Sequence, residues 1–310
     1  MNFKLRNPNF STRILAAEPG ADLFDVAAHR PVRDLCADRG NPFKPSPVFV
    51  RADPFLFAYR GELHLFFEQQ VTVRRAVIRM TRTRDLKTWS DPVTVLDEPF
   101  HLSFPFVFGH QGSVYMMPEC HQSGSIRLYK AQDDTFTRWS HAGTLLSGAG
   151  FVDSSIICRQ GIYYLFTTTM RQGRKQLELY FSDRPDGGYR LHPSSPYCTG
   201  EDGAQCGGAV FEWNGRIYRP AQDSSQEYGK QLRMFQVTAL SPAEYAEELI
   251  VPAVFPSHIP FYRHGGHHFN PVVFDGRTII ATDARQLSFN VFGFAERAAL
   301  FLKRKRGKRG

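Results

Sequence analysis

Carboxylates recur at matching points along this chain, and their placement suggests proton chemistry. The stretch "RADPFLFAYRGELHLFFEQQ", residues 51–70, sets Asp53 at the head of an apolar run and Glu68 near its end. "FPFVFGHQGSVYMMPE" (104–119) ends on Glu119, and "DSSIICRQGIYYLFTT" (153–168) opens on Asp153. "GGAVFEWNGRIYRPAQ" (207–222) is followed by Asp223, and "NPVVFDGRTIIATD" (270–283) ends on Asp283. Asp and Glu are rarely buried without partners, so an acid fixed in such a run is either a turn-former or a placed functional group. Two carboxylates sharing a pocket can cleave or form a glycosidic bond. One donates a proton to the leaving oxygen, and the other attacks or activates water. Mutual repulsion and burial separate their pKa values so that one stays protonated. Asp53, Glu119 and Asp153 are the catalytic candidates. Glu68, Arg219, Gln222, Asp223, His267, His268 and Asp283 are the candidates for substrate binding.

His264, His267 and His268 flank Gly265-Gly266. Imidazole is a common metal ligand, but this spacing matches no strong metal motif. Packing or substrate hydrogen bonding is the reading adopted, and neither a metal nor a cofactor is expected. No phosphate loop, nucleophile elbow, HExxH or dinucleotide fingerprint occurs.

The elements that must hold these residues come from a repeat. Each run reads as two short apolar strands joined by a polar turn ending in glycine: Gly61, Gly112, Gly161, Gly215 and Gly276. Aromatic and β-branched residues favour strands, and glycine accepts the positive φ of a tight turn. The glycines lie 51, 49, 54 and 61 residues apart. That period predicts an all-β, five-bladed β-propeller, with four-stranded antiparallel blades around a central channel. The first strand of each blade lines the channel, so residues at its start converge. The counterparts of Asp53 are expected at Phe104, Asp153, Cys206-Gly207-Gly208 and His267-His268 to Asn270. Trp89 and Trp139 hold the same place in their repeats and read as packing between blades. "SPAEYAEEL" (241–249) is the one helical candidate within the body, with Ser241 as cap and Glu244 completing a capping box. Residues 188–208 read as a long polar connection able to cover the pocket.

Composition sets outer bounds. The 310 residues are 42% hydrophobic and 14% aromatic, enough for a large core. No apolar run of membrane-spanning length occurs. The N-terminus lacks the apolar core of a signal peptide. The net charge is +8, of which the tail "KRKRGKRG" carries six, at Lys303, Arg304, Lys305, Arg306, Lys308 and Arg309, leaving about +2 on the body. The tail reads as a solvated terminus. Its sharper alternative is contact between Lys303–Arg309, with the amphipathic face of Phe294, Ala298, Phe301 and Leu302, and an acidic membrane surface. No basic stripe with interleaved aromatics marks the body for nucleic acid. Cys36, Cys120, Cys158, Cys198 and Cys206 are scattered and odd in number, which suggests reduced thiols in a cytoplasmic protein, peripheral to the inner membrane face if the tail binds lipid. Residues 1–45 are assigned to an N-terminal segment whose "STRILAA" closes the last blade, 46–295 to the propeller, and 296–310 to the basic tail.

The pattern "ADPFLF…GELHLFFE", "DLKTWSDPVTVLDEPFHLSFPFVF…GSVYMMPE", "VDSSI" and "YRPAQD" resembles the N-terminal domain of plant glucosamine inositolphosphorylceramide transferases and its bacterial relatives, over residues 45–290. More distantly the chain is similar to the five-bladed glycoside hydrolases: arabinanases, xylosidases, invertases and levansucrases. That likeness implies a base or nucleophile at Asp53 and a helper acid at Asp153. It also implies a general-acid Glu at the start of the fourth blade, where "QCGGAVF" has none. The acid is therefore relocated to Glu119 or absent. Three functions stay open: a carbohydrate-active enzyme, a non-catalytic sugar-recognition module serving a glycosyltransferase, and a scaffold. The ligand implied is a sugar, an oligosaccharide or a nucleotide sugar.

Overall fold

In a computed structural model that describes residues 7–36, 50–72, 74–288, 291 and 295, five antiparallel sheets form the five blades of a β-propeller. The N-terminal strands β1 (Asn7–Ala16) and β2 (Arg30–Leu35) are the outer strands of the fifth blade. The first blade is β3 (Arg51–Tyr59), β4 (Glu62–Thr72), β5 (Arg75–Thr83) and β6 (Val93–Leu96). The second is β7 (Ser103–His110), β8 (Ser113–Glu119), β9 (Ser125–Ala131) and β10 (Trp139–Ser147). The third is β11 (Phe151–Arg159), β12 (Ile162–Arg171) and β13 (Arg174–Ser182), edged by the short β14 (Arg190–Leu191) and β15 (Cys198–Thr199). The fourth begins with β16 (Asp202–Cys206) and β17 (Phe211–Trp213), both against β18 (Arg216–Asp223), then β19 (Gln231–Leu240) and β20 (Tyr245–Val251). The fifth has β21 (Phe269–Phe274) and β22 (Arg277–Ser288) inside, and β1 pairs along β22 from Asn7↔Ser288 to Ala16↔Ile279. Strands from the two ends of the described chain thus complete one four-stranded blade and close the ring.

All five inner hairpins turn through a non-glycine residue and a glycine that both have positive φ, from Arg60 (46°) and Gly61 (75°) to Asp275 (50°) and Gly276 (68°). This turn matches the right-handed twist of its strands. Blades adhere through apolar faces. Phe66, Ile78 and Met80 of the first blade pack with Val107, Met116 and Tyr129 of the second. Full burial of each such side chain is worth about 1.5–3 kcal/mol. Trp139 meets Phe66 edge-on at 6.0 Å, and Arg33 lies 5.0 Å over Trp89, so both tryptophans do pack between blades.

Two expectations change. Residues 241–249 form no helix: the Ser241 hydroxyl accepts the Ala243 and Glu244 amides in a turn, and the chain continues as β20. The cap chemistry is present, but pairing with β19 overrides helix propensity. Residues 188–208 are not a cover, because β14 and β15 are pinned to the outer edge of β13 and β16 is already the inner strand of the fourth blade. The tail Lys303–Arg309, and the stretch before it apart from Ala295, lie outside the described residues. Among the described residues no helix is long and apolar enough to cross a membrane.

Candidate functional site

Near its start, each innermost strand of the first four blades breaks register. The breaks fall at Ala52/Phe55, Ser103/Phe106, Val152/Ser155 and Asp202/Gln205. The residue inside each bulge has positive φ: Asp53 49°, Phe104 45°, Asp153 51° and Gly203 82°. A bulge bends the strand and re-aims a side chain. The fourth-blade counterpart of Asp53 is therefore Gly203, not the Cys206-Gly207-Gly208 stretch. Gly207 and Gly208 instead let the fourth blade touch the fifth: a Cβ on Gly208 would lie 2.1 Å from the Phe269 carbonyl oxygen.

A cavity of about 720 Å³ opens over these bulges. Asp53, Glu68, Glu119, Asp153 and His267 line it, joined by Phe10, Arg74, His101, His121, Gln205 and Tyr228. The acids also stitch neighbouring blades together. Asp53 Oδ2 accepts the Phe104 amide at 3.2 Å, and Glu119 Oε2 accepts the Asp153 amide at 3.3 Å. Asp153 Oδ2 accepts Nε2 of Gln205 at 2.6 Å and of Gln222 at 3.0 Å. Asp283 Oδ2 accepts the Asp53 amide of the first blade at 3.4 Å, and within its own blade Oδ1 accepts the His267 and His268 amides at 2.8 and 3.1 Å.

Burial sets the proton affinities. It pushes the Asp53 carboxyl up to about 8 against the pull of His267, with Glu68, Asp283 and Glu119 adding to the rise. Burial, then the charges of Glu119 and Asp53, holds Asp153 well above the usual carboxylate range. Burial alone would lower His267, but Asp283, 2.6 Å from Nδ1, raises it to about 9. Burial also works to raise Asp283, yet the His267 imidazolium and backbone amides keep it below its ordinary value. His268, buried among Phe55 and Phe104, is driven down to about 3. At the rim, His101 sits 3.3 Å from Glu68 and His121 2.9 Å from Glu119. Burial would lower His101, but Glu68 leaves it raised.

Asp53, His267 and Asp283 bring donor atoms within 4.8 Å of one another, close enough to share a cation. The Asp283 oxygens are already engaged, whereas Asp53 Oδ1 stands 3.9 Å from His267 Nδ1. Both Asp283 oxygens are taken by the His267 and His268 amides, His267 Nδ1 and, at 3.4 Å, the Asp53 amide, which uses the lone pairs of a carboxylate. The set reads as an acid–imidazole cluster centred on Asp283.

The three catalytic candidates thus reach one cavity. Of the binding candidates, Glu68 and His267 line it, while Asp283, Gln222 and His268 lie beneath or behind that wall. Arg219 and Asp223 are corrections. Arg219 is fully buried inside the fourth blade and paired with Glu247, and Asp223 is held by Arg233 and Ser225. Side chains alternate along a strand, so on β18 Gln222 faces Asp153 while its neighbours Ala221 and Asp223 point to the other side of the sheet. The sequence reading missed Gln205, His101, His121, Phe10 and Tyr228. Gln205 follows its bulge by two residues and was findable once Gly203 was seen as the equivalent of Asp53. Phe10 arrives from the far end of the chain and stacks on His267 at 4.2 Å, a contact no local pattern encodes.

Comparison with known proteins gives two kinds of match. The family model described as "Glucosamine inositolphosphorylceramide transferase 1, N-terminal" matches residues 26–260. Glucosamine inositolphosphorylceramide transferase 1 of Arabidopsis thaliana is 36% identical over 220 residues, covering 68% of this chain and 28% of that protein. Its counterpart in Oryza sativa subsp. japonica is 34% identical over 204 residues, covering 63% and 27%. The chain thus spans little more than a quarter of the length of these curated relatives. Among solved structures, a family 117 glycoside hydrolase of the marine bacterium Zobellia galactanivorans aligns with a TM-score of 0.56 at 14% identity, covering 82% of this chain and 88% of that one. The β-fructofuranosidase of Bombyx mori aligns with a TM-score of 0.56 at 14% identity, covering 78% and 58%. At such identities these structures share the fold.

Proposed function

Because the chain belongs to the glucosamine inositolphosphorylceramide transferase N-terminal family, we propose that its axial cavity binds a glycosyl unit and acts on a glycosidic linkage. The observation that carries this reading is the convergence of Asp53, Glu119 and Asp153, from three different blades, on one cavity of about 720 Å³. Asp153 and Glu119 lie against each other and serve as the proton-holding pair, taking the place of the acid absent from the fourth blade. The Asp153 proton passes to the leaving glycosidic oxygen as that bond breaks. Asp53, once ionised, takes a proton from the attacking water or hydroxyl. His267, fixed by Asp283 and Phe10, orients Asp53 from 3.9 Å. The exposed edge of Tyr228 and the ring of Phe10 offer apolar surface to a sugar face.

The cavity wall sets Arg74, His101, His121 and His267 against Glu68, Glu119 and the carboxyls of Asp53 and Asp153, whose protonated forms burial favours, and this mixed polar wall suits the hydroxyls of a glycan. A second reading, sugar recognition without catalysis in support of a separate transferase, is favoured by Gly203, which puts no acid at the fourth bulge. The two separate in one experiment. A panel of oligosaccharides and nucleotide sugars is incubated with wild type and with Asp53→Asn, and both binding and product are followed. Turnover lost in the variant supports the enzyme, whereas tight binding with no turnover in either protein sinks it in favour of the recognition module.

A further inference from the structure

Arg219 is the largest fully buried side chain of the described residues, at 0% exposure, and the chemistry above makes no use of it. Its Nε and Nη2 form a two-pronged contact with Glu247 at 2.7 and 2.5 Å, and its guanidinium lies 4.9 Å over the Phe235 ring. A buried ion pair offsets little more than its own desolvation, so stability is a weak reason for one.

The third prong shows what the pair holds. Arg219 Nη1 donates to the Gly203 carbonyl at 3.0 Å. Gly203 lies in the fourth-blade bulge, where the ladder to β18 is interrupted between Asp202↔Asp223 and Gln205↔Gln222. A buried carbonyl that has lost its ladder partner needs another donor. Glycine suits this bulge: φ is +82°, and a Cβ would sit 3.3 Å from Phe235 Cζ. On its other side, Thr168 Oγ1 donates to the Ala204 carbonyl at 3.2 Å and accepts the Cys206 amide at 3.3 Å. Between these two anchors Gln205 emerges, and its Nε2 reaches Asp153 Oδ2 at 2.6 Å.

We propose that the Arg219–Glu247 pair is a positioning device for the cavity: by holding the Gly203 carbonyl it fixes the bulge that aims Gln205 at Asp153. The pair touches no ligand and acts only through Gln205. This inference rests on the proposed role of Asp153, but its test uses the unliganded protein, so failure to find a glycan substrate leaves it standing.

The test is a ¹³C NMR titration of the Asp153 carboxyl in wild type, Gln205→Ala and the double variant Arg219→Met/Glu247→Met. The groups facing Asp153 are Glu119 from the second blade, Asp53 from the first, and Cys206, Tyr228, Gln205 and Gln222 from the fourth. The Gln205 N–H stabilises the carboxylate form, so its loss moves the titration upward, by about one pH unit for one charge-assisted hydrogen bond. The double variant is expected to reproduce the shift of Gln205→Ala, and all three substitutions together to add little more. A purely structural ion pair would lower the melting temperature and leave Asp153 where it is. A folded double variant with an unmoved or lowered Asp153 titration overturns the proposal. If the double variant does not fold, Arg219→Lys keeps the charge but loses the fork. A smaller upward move then supports the proposal, and no move overturns it.

Discussion

Asp53 and Phe104 occupy the same bulge in adjacent blades, at φ 49° and 45°. One presents a carboxylate to the cavity. The other buries a ring against Phe55 and His268. Asp153 and Gly203 repeat the position with an acid and with no side chain at all. Four of the five blades therefore keep the bulge and fill it with three different residue types. The acids at two of the four positions are not demanded by the strand, and each is buried at a cost that burial alone does not repay. They do accept hydrogen bonds from neighbouring blades, yet an uncharged amide could accept the same bonds.

Substitutions at these positions break or sharpen that comparison. The largest effect is expected from Asp53→Asn. It keeps an oxygen for the Phe104 amide but cannot take a proton, so turnover on the glycan found by screening should fall by about 10²–10⁴-fold. Folding, followed by circular dichroism, should be unchanged. Phe104→Ala is the reverse case, expected to cost about 3–5 kcal/mol in urea unfolding, as for other buried phenylalanines. If Asp53→Asn unfolds the protein as badly as Phe104→Ala, the acid is structural. Gly203→Ala should cost about 1–2 kcal/mol, since a Cβ is disfavoured in the left-handed region. Its effect should extend to Asp153 through Gln205.

The comparison also bears on the pH dependence of stability. His267 is raised from 6.5 to about 9, so its stabilisation is complete below 6.5 and is lost as pH rises through about 9. Asp53 is raised from 3.8 to about 8, so the folded state binds its proton more tightly and stability declines across that interval too. Thermal melts should therefore show the melting temperature falling between pH 6.5 and 9. The slope should be shallower in Asp53→Asn, and an equal slope in both proteins would remove Asp53 from the linkage.

The fold was legible because its signal is local and repeated. Gly61, Gly112, Gly161, Gly215 and Gly276 each mark a two-residue turn that only a few residue types can make. Asp53 and Asp153 were legible for the same reason, since they keep phase with those turns. The fourth blade is harder to read because its bulge residue is a glycine and its inner strand is split into β16 and β17 around Gly207-Gly208, so its turn glycine follows the bulge by 12 residues where the first three blades have 8. Arg219 was assigned to the cavity because strand ends converge on the axis, but parity along β18 turns it into the blade. The turn at Ser241–Glu244 carries helix-cap chemistry, and only the tertiary pairing of β20 with β19 decides against a helix. His267 acquires its charge from Asp283, sixteen residues away, and its platform from Phe10, 257 residues away.

The most direct test of the glycan site is a crystal structure of Asp53→Asn soaked with the oligosaccharide that binds best in the screen. The expected result is a sugar ring in the axial cavity, with a glycosidic oxygen within hydrogen-bond reach of Asp153 or Glu119 and one ring face against Tyr228 or Phe10. A sugar seated instead at the opposite face of the propeller, or on a blade edge with the cavity left to solvent, would contradict the account.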